Sequence, residues 1–476
     1  MRLQQVSPRM AVCVYAAVVV ALLAYFMLDI PVQLADSFQN ILAVRRRSLT
    51  EIIINNLWST GYLRPLLFAP IKIVYELSGE HYSAWFRGVH VAQLAVTVGL
   101  FVALLRVRSW TDAAAAPLAL AVCVSLHTFA GTIREAFPIN TFLTIVDACL
   151  LAALIASSRP RWWSTPVALI VLVFAALTVE SGLLVWVVLV AAFAAGWRGV
   201  SRAGVAMATA SVAAYFVARF SVFHVSVPSM FERSTGFGLQ VLEPAEIAAR
   251  FGANPWPLHA YNVATSIASV LFAEPRGGVF WIVREVLALD LVPWTIVNLV
   301  ACTGLTALII RDVVTRRDRW RRWDLEDGDR LIVVFASVLV ANAAMNYVYT
   351  KSVVMSPAGV FFGLAGYAAI RRWVAGMPAL PPRSALVASL CLAVLATAWG
   401  IKAMGIHYNL WYSARQIRDQ WAYVDDWLVR QHVELTGMPE REVKDALQAD
   451  ALWRRPARPR VELDGRWPAE WFDAAQ

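Results

Sequence analysis

Residues 166–195 read PVALIVLVFAALTVESGLLVWVVLVAAFAA, an apolar stretch of thirty residues broken only at Thr178-Val179-Glu180-Ser181-Gly182. A bilayer core about 30 Å thick takes roughly 20 apolar residues per helix, so this stretch is too long for one span and suits a tight hairpin of two short ones. A carboxylate at the tip of such a hairpin is costly at membrane depth and is a functional candidate for that reason. The alternative role for Glu180 is a cap that satisfies backbone NH groups at the start of the second helix.

Working outward, the whole chain has this character. Of 476 residues 59% are hydrophobic and 16% charged, with mean hydropathy +0.58. Soluble domains are closer to half apolar and a quarter charged. Further apolar runs begin near Ala11, Val89, Ala113, Thr141, Ala203, Val286, Leu331, Val353 and Ser384, which makes an all-α polytopic membrane protein with about eleven spans. The first run follows Arg2 and Arg9, is too long for a signal peptide and lacks a small-residue cleavage site, so it is expected as a retained helix.

The net charge of +9 does not indicate nucleic acid, because Lys and Arg cluster in short connectors beside apolar runs. Arg106 and Arg108, Arg159 and Arg161, Arg198 and Arg202, the run Arg311 to Arg330, and Arg371, Arg372 and Arg383 occupy alternate connectors. Such an excess marks the cytoplasmic side, which puts the N-terminus inside and, for an odd number of spans, the C-terminus outside. Two long outer loops are expected at about 31–88 and 224–285. In the first, Ser37 to Val44 and Leu49 to Trp58 alternate like interfacial helices. The second is interrupted by Pro244, Pro255, Pro257 and Pro275 and shows no clear period. Residues 1–404 form the membrane domain, and 405–476 form an aromatic-rich outer tail with Trp411, Tyr412, Trp421, Tyr423 and Trp427.

All five cysteines fall inside apolar runs without ligand spacing, which indicates neither disulfides nor zinc. His90, His259 and His407 are scattered, no HExxH occurs, and there is no Walker loop, GxGxxG or GxSxG. No cofactor is expected, while a divalent metal stays open. The expected topology instead places Asp29 and Asp36, Arg64, Arg134 and Glu135, Glu180 and Lys351 toward the outer side. Asp36 reads either as a base or as the N-cap of the following helix, and Asp29 as a weaker candidate base or a membrane-exit marker. Arg64, before Pro65, suits a phosphate or a loop carboxylate. Lys351 has the same readings or snorkels to the interface, and Arg45, Arg46 and Arg47 suit lipid phosphates or a solvated face.

These residues resemble the GT-C superfamily of membrane glycosyltransferases, of the protein O-mannosyltransferase and arabinosyltransferase types. The likeness rests on an acidic first outer loop (Asp36, with Asp29 near it), on Tyr62-Leu63-Arg64-Pro65-Leu66, and on Trp85-Phe86-Arg87-Gly88-Val89-His90. It continues in Leu177-Thr178-Val179-Glu180-Ser181-Gly182, where Val179 stands at a position commonly lysine, and in Tyr349-Thr350-Lys351 followed by Ser356-Pro357-Ala358-Gly359. The resemblance implies a polyprenyl-phosphate sugar donor and a glycan, lipid or protein acceptor at the extracytoplasmic face of a bacterial inner membrane. It implies Asp36 as base, Glu180 as the group orienting acceptor or base, and Arg64, Lys351 and Arg134 on the phosphate, with Tyr62, Glu135 and His90 lining the site. Competing readings are a transporter or flippase for a lipid-linked or anionic substrate, a polysaccharide polymerase or ligase, and a noncatalytic scaffold using its aromatic tail.

Overall fold

The computed structural model describes residues 7–28, 44, 47–58, 62–78, 82–126, 141–225, 244–251, 254–273, 278–348, 350, 352–415, 433, 437–439 and 442–443. Among the described residues there are helices and connectors but no strand. In chain order the helices are α1 (Pro8–Leu28), α2 (Leu49–Leu57), α3 (Ala69–Ser78), α4 (Tyr82–Leu105), α5 (Trp110–Val124), α6 (Thr141–Ser157), α7 (Ser164–Thr178), α8 (Leu184–Ala194) and α9 (Arg202–Val217). They continue as α10 (Pro244–Phe251), α11 (Trp256–Phe272), α12 (Gly278–Leu287), α13 (Pro293–Thr315), α14 (Arg317–Arg321), α15 (Asp327–Met345), α16 (Ser356–Gly376) and α17 (Pro382–Arg415). Seven of these segments are long and apolar enough to cross a membrane: α1, α4, α9 with its following turn, α13, α15, α16 and α17. Helices α5, α6, α7 and α8 are apolar but shorter.

Helix α16 is the pillar of the bundle, with every residue from Ser356 to Ile370 buried. Its small residues let neighbours approach closely, as helix packing in lipid requires. Gly363 faces Phe101 of α4 and Val122 of α5, and Gly366 faces Leu305 of α13.

The arginine-bearing connectors meet at one end of this bundle, as their alternation predicts. Arg106, at the end of α4, pairs with Asp327 at 3.2 Å and donates to the Ser157 carbonyl at the end of α6. Trp197 Nε1 donates to Asp327, and Trp323 Nε1 to the Ala194 carbonyl, tying in α8. Arg371 reaches Asp112 at 2.8 Å, and Arg372 pairs with Asp312 and with Asp329 at 2.9 Å. Asp329 is fully buried and also receives Arg316 at 3.0 Å and the Glu326 amide at 2.9 Å. This dense ionic layer differs from the sequence expectation, in which the notable carboxylates lie toward the opposite end. Asp112, Asp312 and Asp329 look like ordinary connector charges until the arginines close over them.

The first loop forms the expected helix over Leu49–Leu57. Ser48 and Glu51 complete a capping box, and the Ser48 amide donating to Glu51 holds that carboxyl below its usual range. Helix α3 was not expected, and the 37–43 part of the other expected helix lies outside the described residues, Val44 alone being described.

Three findings concern the second half. The segment 224–285 contains three helices rather than irregular loop. Helices α11 and α12 form a hairpin: the Val279 amide donates to Ser269 Oγ, and Thr306 Oγ1 of α13 donates to the Leu271 carbonyl at 2.6 Å. Thr306 lies about 20 Å along α13 from Pro293 at 1.5 Å per residue, so the far end of α11 reaches the middle of the bundle. The eighth apolar run also starts later than Val286, because Leu289 adopts φ 53° after α12 and Pro293 opens α13. Hydropathy is continuous across that break and hides it. Finally, α17 is one helix from Pro382 to Arg415 and passes through Gly405 without a break. Gly405 is a close approach, where an added Cβ would lie 2.5 Å from the Trp294 ring.

Candidate functional site

At the end opposite the ionic layer, the hairpin tip between α7 and α8 meets the first loop and α9. Helix α7 ends at Thr178, Val179 is extended, and Glu180–Leu183 form a single 3-10 turn leading into α8. Gly182 makes this tightness possible, because a Cβ there would lie 2.1 Å from the Ala175 backbone. The residue at the N-cap of α8 is Leu183, and the bonds that the Glu180 carboxylate accepts among the described residues come from side chains and not from the first turn of that helix.

Its carboxylate is held by two guanidinium groups. Arg64 Nε donates to Glu180 Oε2 at 2.7 Å and Nη2 donates to the same oxygen at 2.5 Å. Arg219 Nη1 donates to Oε1 at 3.1 Å and to the Tyr215 hydroxyl at 3.2 Å. Tyr62 lies over Arg64, with the guanidinium carbon 4.0 Å from the ring centroid. The first loop is fixed here by the Leu66 amide donating to the Leu177 carbonyl at 3.1 Å, and by Trp58 set edge-on to Phe223.

Two features make this cluster more than a structural ion pair. The first is charge: two arginines against one carboxylate leave the triad with a net positive charge, and Arg219 is only 3% exposed. The second is an orphaned donor, since Arg219 Nε is buried and meets no acceptor among the described residues. Such groups cost roughly 1–3 kcal/mol unless something completes them. Arg219 sits on a π turn, Ala218–Val222, that continues α9. These local widenings of the helix occur often at functional sites. Beside the cluster lies an apolar cavity of about 290 Å³ bounded by Leu57, Leu63, Leu172, Ala176, Tyr215 and Phe223.

Of the residues singled out in the sequence, Glu180, Arg64 and Tyr62 are thus brought together. Asp29, Asp36, Arg134, Glu135 and Lys351 lie outside the described residues. His90 is fully buried on α4, 3.4 Å from Arg87, and no described contact links it to the triad. It shares a helix face with Gln93, which donates to Thr144 at 3.0 Å, and Thr97, which donates to Asp147 at 2.6 Å. This polar seam between α4 and α6 was missed, as was Arg219. The signal for Arg219 was present: an arginine near the outer end of an apolar run, between Phe216 and Phe220. Asp147 and the fully buried Lys402 also show that ionisable groups sit within the apolar helices, not only at their outer ends.

No group of three or more potential metal-binding side chains occurs among the described residues. Fold and site together define a polytopic helical membrane protein with a carboxylate-bridged arginine pair at one end. No protein-family model matches the chain, and comparisons with curated proteins and with solved structures returned no match.

Proposed function

We propose that the chain is an integral membrane glycosyltransferase of GT-C type that moves a sugar from a polyprenyl-phosphate donor to an acceptor at the extracytoplasmic face. The observation that carries this reading is the cationic Arg64–Glu180–Arg219 triad, with its orphaned Arg219 Nε, beside an apolar cavity. A phosphate with a prenyl tail has the same two-part chemistry. In this reading the four shorter apolar helices also cross, giving eleven spans with the N-terminus in the cytoplasm and the C-terminus outside. Helix α7, at 15 residues, rises only about 22 Å against a core of about 30 Å. Glu180 and both arginines then lie below the outer surface, where charge interactions are stronger than in water.

The reaction is a displacement at the anomeric carbon. The acceptor hydroxyl oxygen bonds to that carbon, its proton passes to the Asp36 carboxylate, and the bond from the carbon to the phosphate oxygen breaks. Arg64 and Arg219 stabilise the charge gathering on the departing polyprenyl phosphate. Glu180 holds the two guanidinium groups apart at fixed positions, so they need no reorganisation during the step. Lys351 and Arg134 are the further phosphate contacts, Glu135 and Tyr62 line the substrate site, and Asp29 is the alternative base.

The test is Asp36→Asn in purified, folded protein supplied with a polyprenyl-phosphate sugar. Transfer is expected to fall at least a hundredfold, the low end of what general base catalysis contributes. Unchanged transfer removes Asp36 as base, and the same substitution at Asp29 then decides between them.

A second reading, a transporter for a lipid-linked or anionic substrate, is favoured by one specific feature. The α11–α12 hairpin reaches mid-bundle, and Asp147 lies within α6; broken helices and ionisable groups at depth are common in transporters. Uptake of the intact lipid-linked sugar across proteoliposome membranes, without release of polyprenyl phosphate, would favour that reading over transfer.

A further inference from the structure

At the arginine-rich end, between α13, α16 and α17, lies a cavity of about 780 Å³ bounded by Arg311, Asp312, Arg316, Arg372, Arg383 and Trp373. A second cavity of about 450 Å³ continues along α13 and α17, past Val300, Gly304, Leu390 and Val394. The two share Leu308, Arg311, Trp373 and Cys391, so they form one groove with a cationic end and an apolar end.

The cationic end is not neutralised by the ionic layer beside it. Arg316 and Arg372 are engaged by Glu326, Asp329 and Asp312. Arg311 and Arg383 differ: neither has an ion-pair partner among the described residues, and they stand on opposite walls, near the end of α13 and at the start of α17. Arg311 is steadied by Trp373, its guanidinium carbon 4.8 Å from the ring centroid. The apolar end runs along two helices long enough to span the membrane, and Leu390 and Val394 are more than half exposed. The groove therefore opens sideways onto lipid along its length.

The geometry points to a binding site for an anionic glycerophospholipid, its phosphodiester between Arg311 and Arg383 and an acyl chain along Gly304, Ala307 and Val394. A soluble anion would leave the apolar half unfilled. A zwitterionic lipid would bring a third positive charge to a mouth that already has two. The sideways opening suits exchange with the bulk lipid, and a phospholipid is the abundant anionic amphiphile of a membrane. Basic pockets between spanning helices hold anionic headgroups on this physical basis, each arginine contributing about fivefold in affinity. This site is separate from the Glu180 triad and does not depend on the transferase reading.

Native mass spectrometry of the full chain, titrated with phosphatidylglycerol and phosphatidylcholine of matched acyl chains, tests it. The wild-type protein is expected to retain one phosphatidylglycerol with about thirtyfold preference over phosphatidylcholine. The Arg311→Gln, Arg383→Gln double variant should lose that preference. Ala307→Trp, which fills the trough from an exposed position, should weaken retention with both arginines intact. If the double variant does not fold, Arg383→Gln alone carries the test, with a loss of about fivefold. Equal retention of the two lipids by the wild-type protein, or unchanged preference in the folded variant, overturns the proposal. So does displacement of the lipid by inorganic phosphate alone, which would mark a simple anion site. Preferential retention of undecaprenyl phosphate over phosphatidylglycerol at equal mole fraction also overturns it, assigning the groove to a carrier lipid.

Discussion

Asp329→Ala is expected to destabilise the protein by about 3–5 kcal/mol, the cost of removing one partner from a buried ion pair. Asp329 is fully buried, and one carboxylate receives Arg316 at 3.0 Å, Arg372 at 2.9 Å and the Glu326 amide at 2.9 Å. Its loss leaves Arg316 with Glu326 alone and Arg372 with Asp312 and Glu326, and it opens the first turn of α15. Asp329→Asn should cost less, because the side-chain oxygen still accepts while the charge is lost. Arg317→Ala, on an exposed arginine in the same connector whose one ion pair among the described residues is a 4.0 Å contact with its neighbour Asp318, should change stability by less than about 1 kcal/mol. Thermal unfolding of the three variants in one detergent checks the order. If all three matched the wild type, the ionic layer would be a surface ornament and not the clamp that gathers the connectors.

Glu180→Ala is the second large effect, and it should appear in stability and in activity together. Arg219 is 3% exposed and depends on Glu180 for its described carboxylate contact, so its uncompensated charge is again expected to cost about 3–5 kcal/mol. Arg64 is more exposed and turns toward solvent at smaller cost. Arg64→Ala should therefore destabilise by about 1 kcal/mol while still reducing transfer, which separates holding the site together from using it. Unfolding midpoints and transfer rates for both variants, read side by side, distinguish the roles. Equal destabilisation by the two substitutions would mean that the burial of Arg219 does not control the triad.

The parts of this structure legible in the sequence are those written in hydropathy and in the placement of charge. The break at Thr178-Val179-Glu180-Ser181-Gly182 is visible because a lone carboxylate interrupts thirty apolar residues, and the hairpin lies there. Alternating arginine connectors foretold which helix ends meet. Tyr62 and Arg64 were picked out because polar groups beside a proline stand out in an apolar loop.

What escaped is what hydropathy averages away. The turn from α12 to α13 lies in Leu287-Ala288-Leu289-Asp290-Leu291-Val292, which reads as a continuation of the span although Leu289 has left the helical region. Helix α11 carries His259, Asn262, Ser266 and Ser269 on its buried face, so it lacks the apolar stripe by which a packed helix is normally recognised. Arg219 is hard to see in the sequence because it lies in the last turn of an apolar run, between Phe216 and Phe220, where hydropathy stays high. Glu180 meets two cations, Arg64 and Arg219, and the second of them lies outside the expected set of Arg64, Arg134 and Lys351.

The most direct test of the central claim is the binding of undecaprenyl phosphate and of undecaprenol to the purified protein, wild type against Arg219→Gln, with unfolding midpoints recorded alongside. The account predicts that the wild type prefers the phosphate by at least tenfold and that the folded Arg219→Gln protein loses this preference while still taking up the alcohol. Equal binding of phosphate and alcohol by the wild type, or a preference unchanged in Arg219→Gln, would contradict it.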